Sequence, residues 1–201
     1  AEEDAPKGIF PFYLPTHPTS HLATYPLSSY EIDMPNEHDN LQAEPEVAVV
    51  CDIVYTGGKV VELKPKFFGA YNDCSIRREG ARKISDKKNW GANSKGIAKR
   101  LLKIDSFQKG GVMDDYRIAC FLRRGGKLHA YGIDSALSSY SYFHGKLMDW
   151  IVDRINNQSD SGPLENVGEL LKECGYPKEA LISIGATRYT EFGESGYLQK
   201  G

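Results

Sequence analysis

A chain of 201 residues, 40% hydrophobic and 26% charged, suits one domain, or one and a half, with a proper core under a solvated surface. Its formal net charge is −2, and its short basic clusters (Arg77-Arg78, Arg82-Lys83, Lys87-Lys88) are interrupted by acids, so they read as solvated surface and no nucleic-acid partner is expected. The sequence has no apolar run long enough for a membrane-spanning helix.

The start, AEEDAPKG, is acidic and carries no apolar signal segment. It also lacks an initiator Met, which reads as processing or as excision from something longer. Residues 1–42 read as an irregular arm or lid. Prolines at 11, 15, 18, 26 and 35 forbid long helices and central strands, while the Phe, Tyr and Leu content argues for packing rather than disorder. Residues 43–201 read as the main domain. Val47–Tyr55 is a β-rich run, Thr56-Gly57-Gly58 turns, and Lys59–Leu63 pairs back. Lys66–Asp73 reads as a further strand, and a helix is expected around Gly96–Lys103. Arg117–Leu122 and Lys127–Ile133 flank Arg123-Arg124-Gly125-Gly126, a hairpin signal.

Gly145–Ile155 is the best helix, with Leu147, Met148, Ile151, Val152 and Ile155 on one face. A second helix is expected over Pro163–Cys174, with Pro163 in its first turn and Gly175 beyond its end. Ala180–Gly185 reads as a buried strand and Ala186–Gly196 as a loop. Many strands with few helices give an α+β class with a mostly β content. The four cysteines (Cys51, Cys74, Cys120, Cys174) form no CxxC pair, so they read as buried free thiols of a reducing compartment; a cytoplasmic protein is expected and a zinc site is not.

Glu44 and Glu46 stand two residues apart at the start of a strand, so their side chains share a face. Asp73 stands at the end of another strand, where ligand-binding groups commonly project from a rigid scaffold. Three carboxylates converging from two strand ends are a donor set for Mg²⁺, Mn²⁺ or Ca²⁺, and a dication would remove the repulsion between the two glutamates. The same residues also read as solvent-facing charge and as a local hydrogen-bonding Asp in an Asn-Asp turn.

Several stretches carry a resemblance. Glu44-Pro45-Glu46-Val47-Ala48-Val49-Val50 resembles the ExE(L/V)xxV stretch of the fumarylacetoacetate hydrolase superfamily. Asn72-Asp73-Cys74-Ser75-Ile76-Arg77 is similar to its (N/L)Dx(S/T)xR motif, and Trp90 with Ser94-Lys95 to its W…KS element. The Arg-Arg-Gly-Gly hairpin and the helix holding Trp150-Ile151 follow in the family's order. ALISIGAT (residues 180–187) falls where the family has (D)xIxTGTP, and Leu198-Gln199-Lys200-Gly201 resembles the start of its LxxGD turn. The substrate-facing elements depart further from the family than the metal-facing ones: TGTP has become IGAT, and Arg78 stands where the family usually has Asp.

The resemblance implies a mixed β-roll with a few short helices, a homodimer, and one divalent cation held by Glu44, Glu46 and Asp73. It implies hydrolysis or decarboxylation of a small 2-oxo carboxylic acid, acylpyruvate or oxaloacetate in type, through a metal-stabilised enolate. It places a general base on the arm, where His17 and His21 are the candidates and Glu31, Glu37 and His38 weaker supporting ones. Lys95 would face the substrate's charge, Thr187 would bind a carboxylate, and Arg77 would serve a structural ion pair. A hydratase or isomerase would use the same metal site. A repurposed metabolite-binding protein on the same fold is the non-catalytic alternative.

Overall fold

The computed structural model describes residues 5–16, 21–36 and 39–200. In chain order the elements are β1 (Leu27–Ser28), β2 (Leu41–Gln42), β3 (Pro45–Thr56), β4 (Lys59–Asn72), β5 (Ser75–Ile76), β6 (Lys95–Ile97), β7 (Leu102–Lys103), β8 (Arg117–Arg124), β9 (Lys127–Ala136), α1 (His144–Asn157), α2 (Val167–Glu173), β10 (Glu179–Ile184) and α3 (Glu191–Ser195). The class is α+β with mostly sheet, as the sequence suggests.

The main sheet runs β1-β6-β4-β3-β10, with β7 also pairing to β4. All pairings in it are antiparallel except β1 with β6. β3 is central. Its first half, flanked by β4 and by the last residues of β10, is buried at every position from Pro45 to Val49; farther along, burial alternates. The β3–β4 turn has positive φ at Gly57 and Gly58 (58° and 78°), the conformation of a type I′ hairpin that only glycine adopts without strain. Gly125 and Gly126 turn the β8–β9 hairpin in the same way.

α1 lays Leu147, Met148, Ile151 and Ile155 onto a core built from Val47, Val49, Ile53, Val60, Leu63, Phe68 and Ile184. Each such side chain contributes about 1.5–3 kcal/mol on burial. A smaller cluster of Leu41, Cys74 and Ile76 lies beneath the end of β4, and another of Leu14, Leu22 and Cys174 fixes the arm to the body. Among its described residues the arm carries a one-turn 3₁₀ segment at His21–Ala23 and the short strands β1 and β2. Gln158 holds its backbone by accepting from Ile9 N (3.0 Å) and donating to Ile9 O (2.8 Å).

Four local expectations are corrected. The two strands expected over Lys59–Leu63 and Lys66–Asp73 form one 14-residue strand that ends at Asn72; Pro65 sits where the register shifts between Val50 and Cys51, and a bulge accommodates its missing N–H. No helix forms over 96–103, because Lys95–Ile97 and Leu102–Lys103 instead satisfy the edge of β4. α2 begins at Val167, not Pro163: Asn166 caps it by accepting from Glu169 N (3.1 Å), and the carbonyls of Leu164 and Glu165 are taken by Lys83 and Gln158. The segment 186–196 contains the short α3, capped by Thr190. All four cysteines are free; Cys51, Cys74 and Cys174 are buried and Cys120 is only half-buried. No helix among the described residues is long and apolar enough to cross a membrane.

Candidate functional site

The antiparallel pairing of β3 with β4 opposes Glu46 to Tyr71 and Pro45 to Asn72. The ladder continues one step further, with Asp73 N donating to Glu44 O at 3.0 Å and Glu44 N donating to the Asn72 side chain at 3.0 Å. Alternation then puts Glu44, Glu46, Tyr71 and Asp73 on one face at the same end of two neighbouring strands. One carboxylate oxygen from each of Glu44, Glu46 and Asp73 lies within 4.8 Å of the others, so the expected triad is brought together.

The chain surrounds these acids with cations. Lys95, on β6, is fully buried; its Nζ stands 3.0 Å from Asp73 Oδ1, donates to the Cys74 carbonyl, and lies 5.5 Å from the centre of the Trp90 ring. Lys88, just past a one-turn 3₁₀ segment at Ile84–Lys87, reaches Glu44 Oε2 at 3.0 Å and contacts Asp73 Oδ2. Arg77 reaches Glu44 Oε1 at 2.7 Å and donates to Gln42 Oε1 at 2.6 Å, the structural ion-pair role expected of it. Every oxygen of Glu44 and Asp73 therefore faces a cation, and these two carboxylates share three positive groups.

Electrostatics follow from this packing. Burial, and then Asp73, pushes the Glu46 carboxyl well above the ordinary carboxylate range, against the pull of Lys88 and a hydrogen bond from Ser183. Burial works against the charge on Lys88, but Asp73 and Glu44 outweigh it and hold that ammonium above its ordinary value. At Lys95 burial wins: the ammonium is lowered, with Asp73 opposing the shift in part and Lys88 adding to it.

The other expected residues fall elsewhere. His17 lies outside the described residues, as do Glu37 and His38. His21 is exposed; its Nε2 is 3.4 Å from Ser85 O, and it lines a cleft of about 620 Å³ with Arg78, Arg82 and Trp90 rather than touching the carboxylates. Glu31 is tied to Asn93 at 3.3 Å. Thr187 is buried with its hydroxyl already engaged, donating to Ile133 O and lying 3.0 Å from Ser135 Oγ, while its N–H donates to Pro45 O (3.3 Å). It braces the start of β3 and presents no free hydroxyl.

Two residues join the site that sequence reasoning passes over. Lys88 reads there as solvated charge, and nothing in its local pattern signals burial. Tyr71 carries a usable signal, since two residues before Asp73 on a strand means the same face.

The donor set is all oxygen and suits a hard dication. The two ammonium groups equally suit a small carboxylate. No curated protein and no solved structure matches the chain. The model of the family of unknown function DUF5718 matches residues 1–201, and the chain belongs to that family.

Proposed function

We propose that this protein is an enzyme acting on a small 2-oxo carboxylic acid, as a hydrolase or decarboxylase of the acylpyruvate or oxaloacetate type, with a divalent cation at Glu44, Glu46 and Asp73. The observation that carries this reading is the convergence of the three carboxylates within 4.8 Å on one face of β3 and β4, with the buried Lys95 beside them. The resemblance of these stretches to the fumarylacetoacetate hydrolase superfamily supports the same assignment, and with it a β-roll homodimer in the cytoplasm. A dimer also suits the β8–β9 hairpin, where Phe121 and Leu128 are each 59% exposed.

The donor set fits Mg²⁺ or Mn²⁺, with Ca²⁺ also accommodated by oxygen ligands. A bound dication would supply Lewis-acid stabilisation of negative charge developing on a substrate oxygen. Lys95 would oppose the substrate's negative charge, its position fixed by Asp73 and the Cys74 carbonyl. Arg77 would keep Glu44 oriented.

One observation favours a second reading. Because Lys88 already bridges Glu44 and Asp73, these two carboxylates have a counter-charge without a metal, which suits a repurposed metabolite-binding protein. Titration calorimetry with Mg²⁺ and Mn²⁺ on the metal-stripped protein, beside Glu46→Gln, separates the two. Saturable binding lost in the variant supports the enzyme and leads to turnover assays on oxaloacetate and acylpyruvates. No binding by the wild-type protein sinks the metal-dependent reading.

A further inference from the structure

Tyr71 is only 4% exposed, and its hydroxyl is buried without a hydrogen-bond partner among the described residues. A buried phenol normally finds a partner, and leaving one unmade is costly. The cost is the more notable because acceptors are close: Glu46 stands directly opposite on β3, and Asp73 is two residues on along the same face. A tyrosine phenol is a neutral O–H donor at neutral pH. Yet all four oxygens of Glu44 and Asp73 are already taken by Arg77, Lys88 and Lys95. The ring itself is held, with Phe12 of the arm packed against it at 5.8 Å between centroids and the Phe12 carbonyl fixed by Asn89 at 2.8 Å.

We propose that Tyr71 is a ligand-contacting residue of this site, whose hydroxyl donates a hydrogen bond to an oxygen of a bound small oxo-carboxylate. The ligand class rests on the functional reading above. The donor itself stands on geometry: it is fixed, unspent, and on the carboxylate face. It costs stability in the free protein and returns that cost when a ligand oxygen arrives, which is how a binding site holds a polar group in readiness.

The test uses the full chain and Tyr71→Phe, with Mn²⁺ and oxalate, a planar chelating dicarboxylate, as probes. Tyr71→Phe is expected to melt at the same temperature as wild type or higher, because it deletes an unsatisfied group. It should bind Mn²⁺ within about twofold of wild type and oxalate, at saturating Mn²⁺, about tenfold more weakly. A melting temperature lowered by several degrees would show that the hydroxyl has a structural partner and would overturn the inference. Equal oxalate affinity in the two proteins would overturn it too. If wild type binds no Mn²⁺, the metal reading fails by itself and oxalate is titrated without metal, against the charges of Lys88 and Lys95. A tenfold loss in Tyr71→Phe there upholds the inference, and no oxalate binding by wild type, or equal binding by both proteins, overturns it.

Discussion

The ammonium of Lys88 lies against Asp73 Oδ2, the carboxylate that Lys95 holds from the other side at 3.0 Å. Lys88 also reaches Glu44 at 3.0 Å, so it spans two of the three acids that would ligate a cation. A tethered monovalent charge therefore stands where a divalent one would be held. The exchange between them is a competition: a dication gains three carboxylates only if Lys88 gives up two.

That competition gives the first prediction. Lys88→Met leaves Asp73 and Glu44 short of a counter-charge in a mostly buried setting. Removing one partner of a buried pair costs about 3 kcal/mol, or roughly 6–12 °C in melting temperature for a chain of this size. Mn²⁺ should then raise the variant's melting temperature by more than it raises the wild type's, since no ammonium has to be displaced. Thermal melting of both proteins with and without Mn²⁺ reads this directly. Equal metal-induced shifts would mean that Lys88 and the cation do not share a place.

The cysteines allow a prediction on packing. Burial, and then Asp52, pushes the Cys51 thiol up to about 12, and burial raises Cys74 to about 12 as well. At pH 8 each then carries on the order of one thiolate in ten thousand. Cys120 is also raised by burial but is only half-buried. Brief iodoacetamide treatment of the native protein should place the first label on Cys120, while the denatured chain takes four. Peptide mapping that finds Cys51 labelled as fast as Cys120 would contradict the closed β3 core.

How far the sequence could be read shows in these same residues. Alternation and paired glycines announce β3 and the two hairpins because those signals are local. The triad was readable for the same reason: a period of two puts Glu44 and Glu46 on one face, and a strand end puts Asp73 within reach. Pro65 split β4 on paper because the compensating bulge depends on the partner strand. The stretch 96–103 has an acceptable helical composition, and only the unpaired edge of β4, far away in sequence, makes it extended. Lys88 is the sharpest case. Its burial arises because its loop returns to Glu44 and Asp73, and no spacing within Ser85–Trp90 encodes that. For His21 the chemistry of the residue was plain, but the path of the arm was not, and the arm leaves it against Ser85.

Glu165 supplies a second pH dependence, outside the acidic triad. It is buried, with Oε1 accepting from Ser85 Oγ and Oε2 without a partner among the described residues. Burial raises its pKa above the ordinary 4.5, with Ser85 and Lys83 opposing. The folded state thus holds this proton more tightly than the unfolded chain. Glu165 is without penalty below pH 4.5, and stability is lost as pH rises from there through its folded value. Glu165→Gln cannot titrate. The melting temperature of the variant minus that of wild type should be flat below pH 4.5 and increase as the pH is raised toward 8. A difference independent of pH would show that the carboxyl titrates alike in both states.

Asn89 ties the arm to the loop that carries Lys88. Its side chain is buried, donates to Phe12 O at 2.8 Å and to Thr24 O at 3.0 Å, and accepts from Gly91 N at 2.9 Å. Through Phe12 it fixes the ring that packs on Tyr71. Asn89→Ala removes all three hydrogen bonds, at a cost of about 2–4 kcal/mol. Most of the loss should fall on the arm, because the β3 core does not pass through Asn89. Amide exchange measures the division. Leu14 N, bonded to Leu22 O at 2.9 Å, and Lys95 N, bonded to Pro26 O at 2.9 Å, should lose protection in the variant. Val49 N, in the middle of β3, should exchange only as fast as global unfolding allows. If Leu14 and Val49 lose protection together, the arm and the sheet open as one unit and no separate lid exists. If Leu14 is released while Val49 is not, the arm opens as a unit separate from the sheet, and the acidic face behind Phe12 is reached without unfolding the sheet.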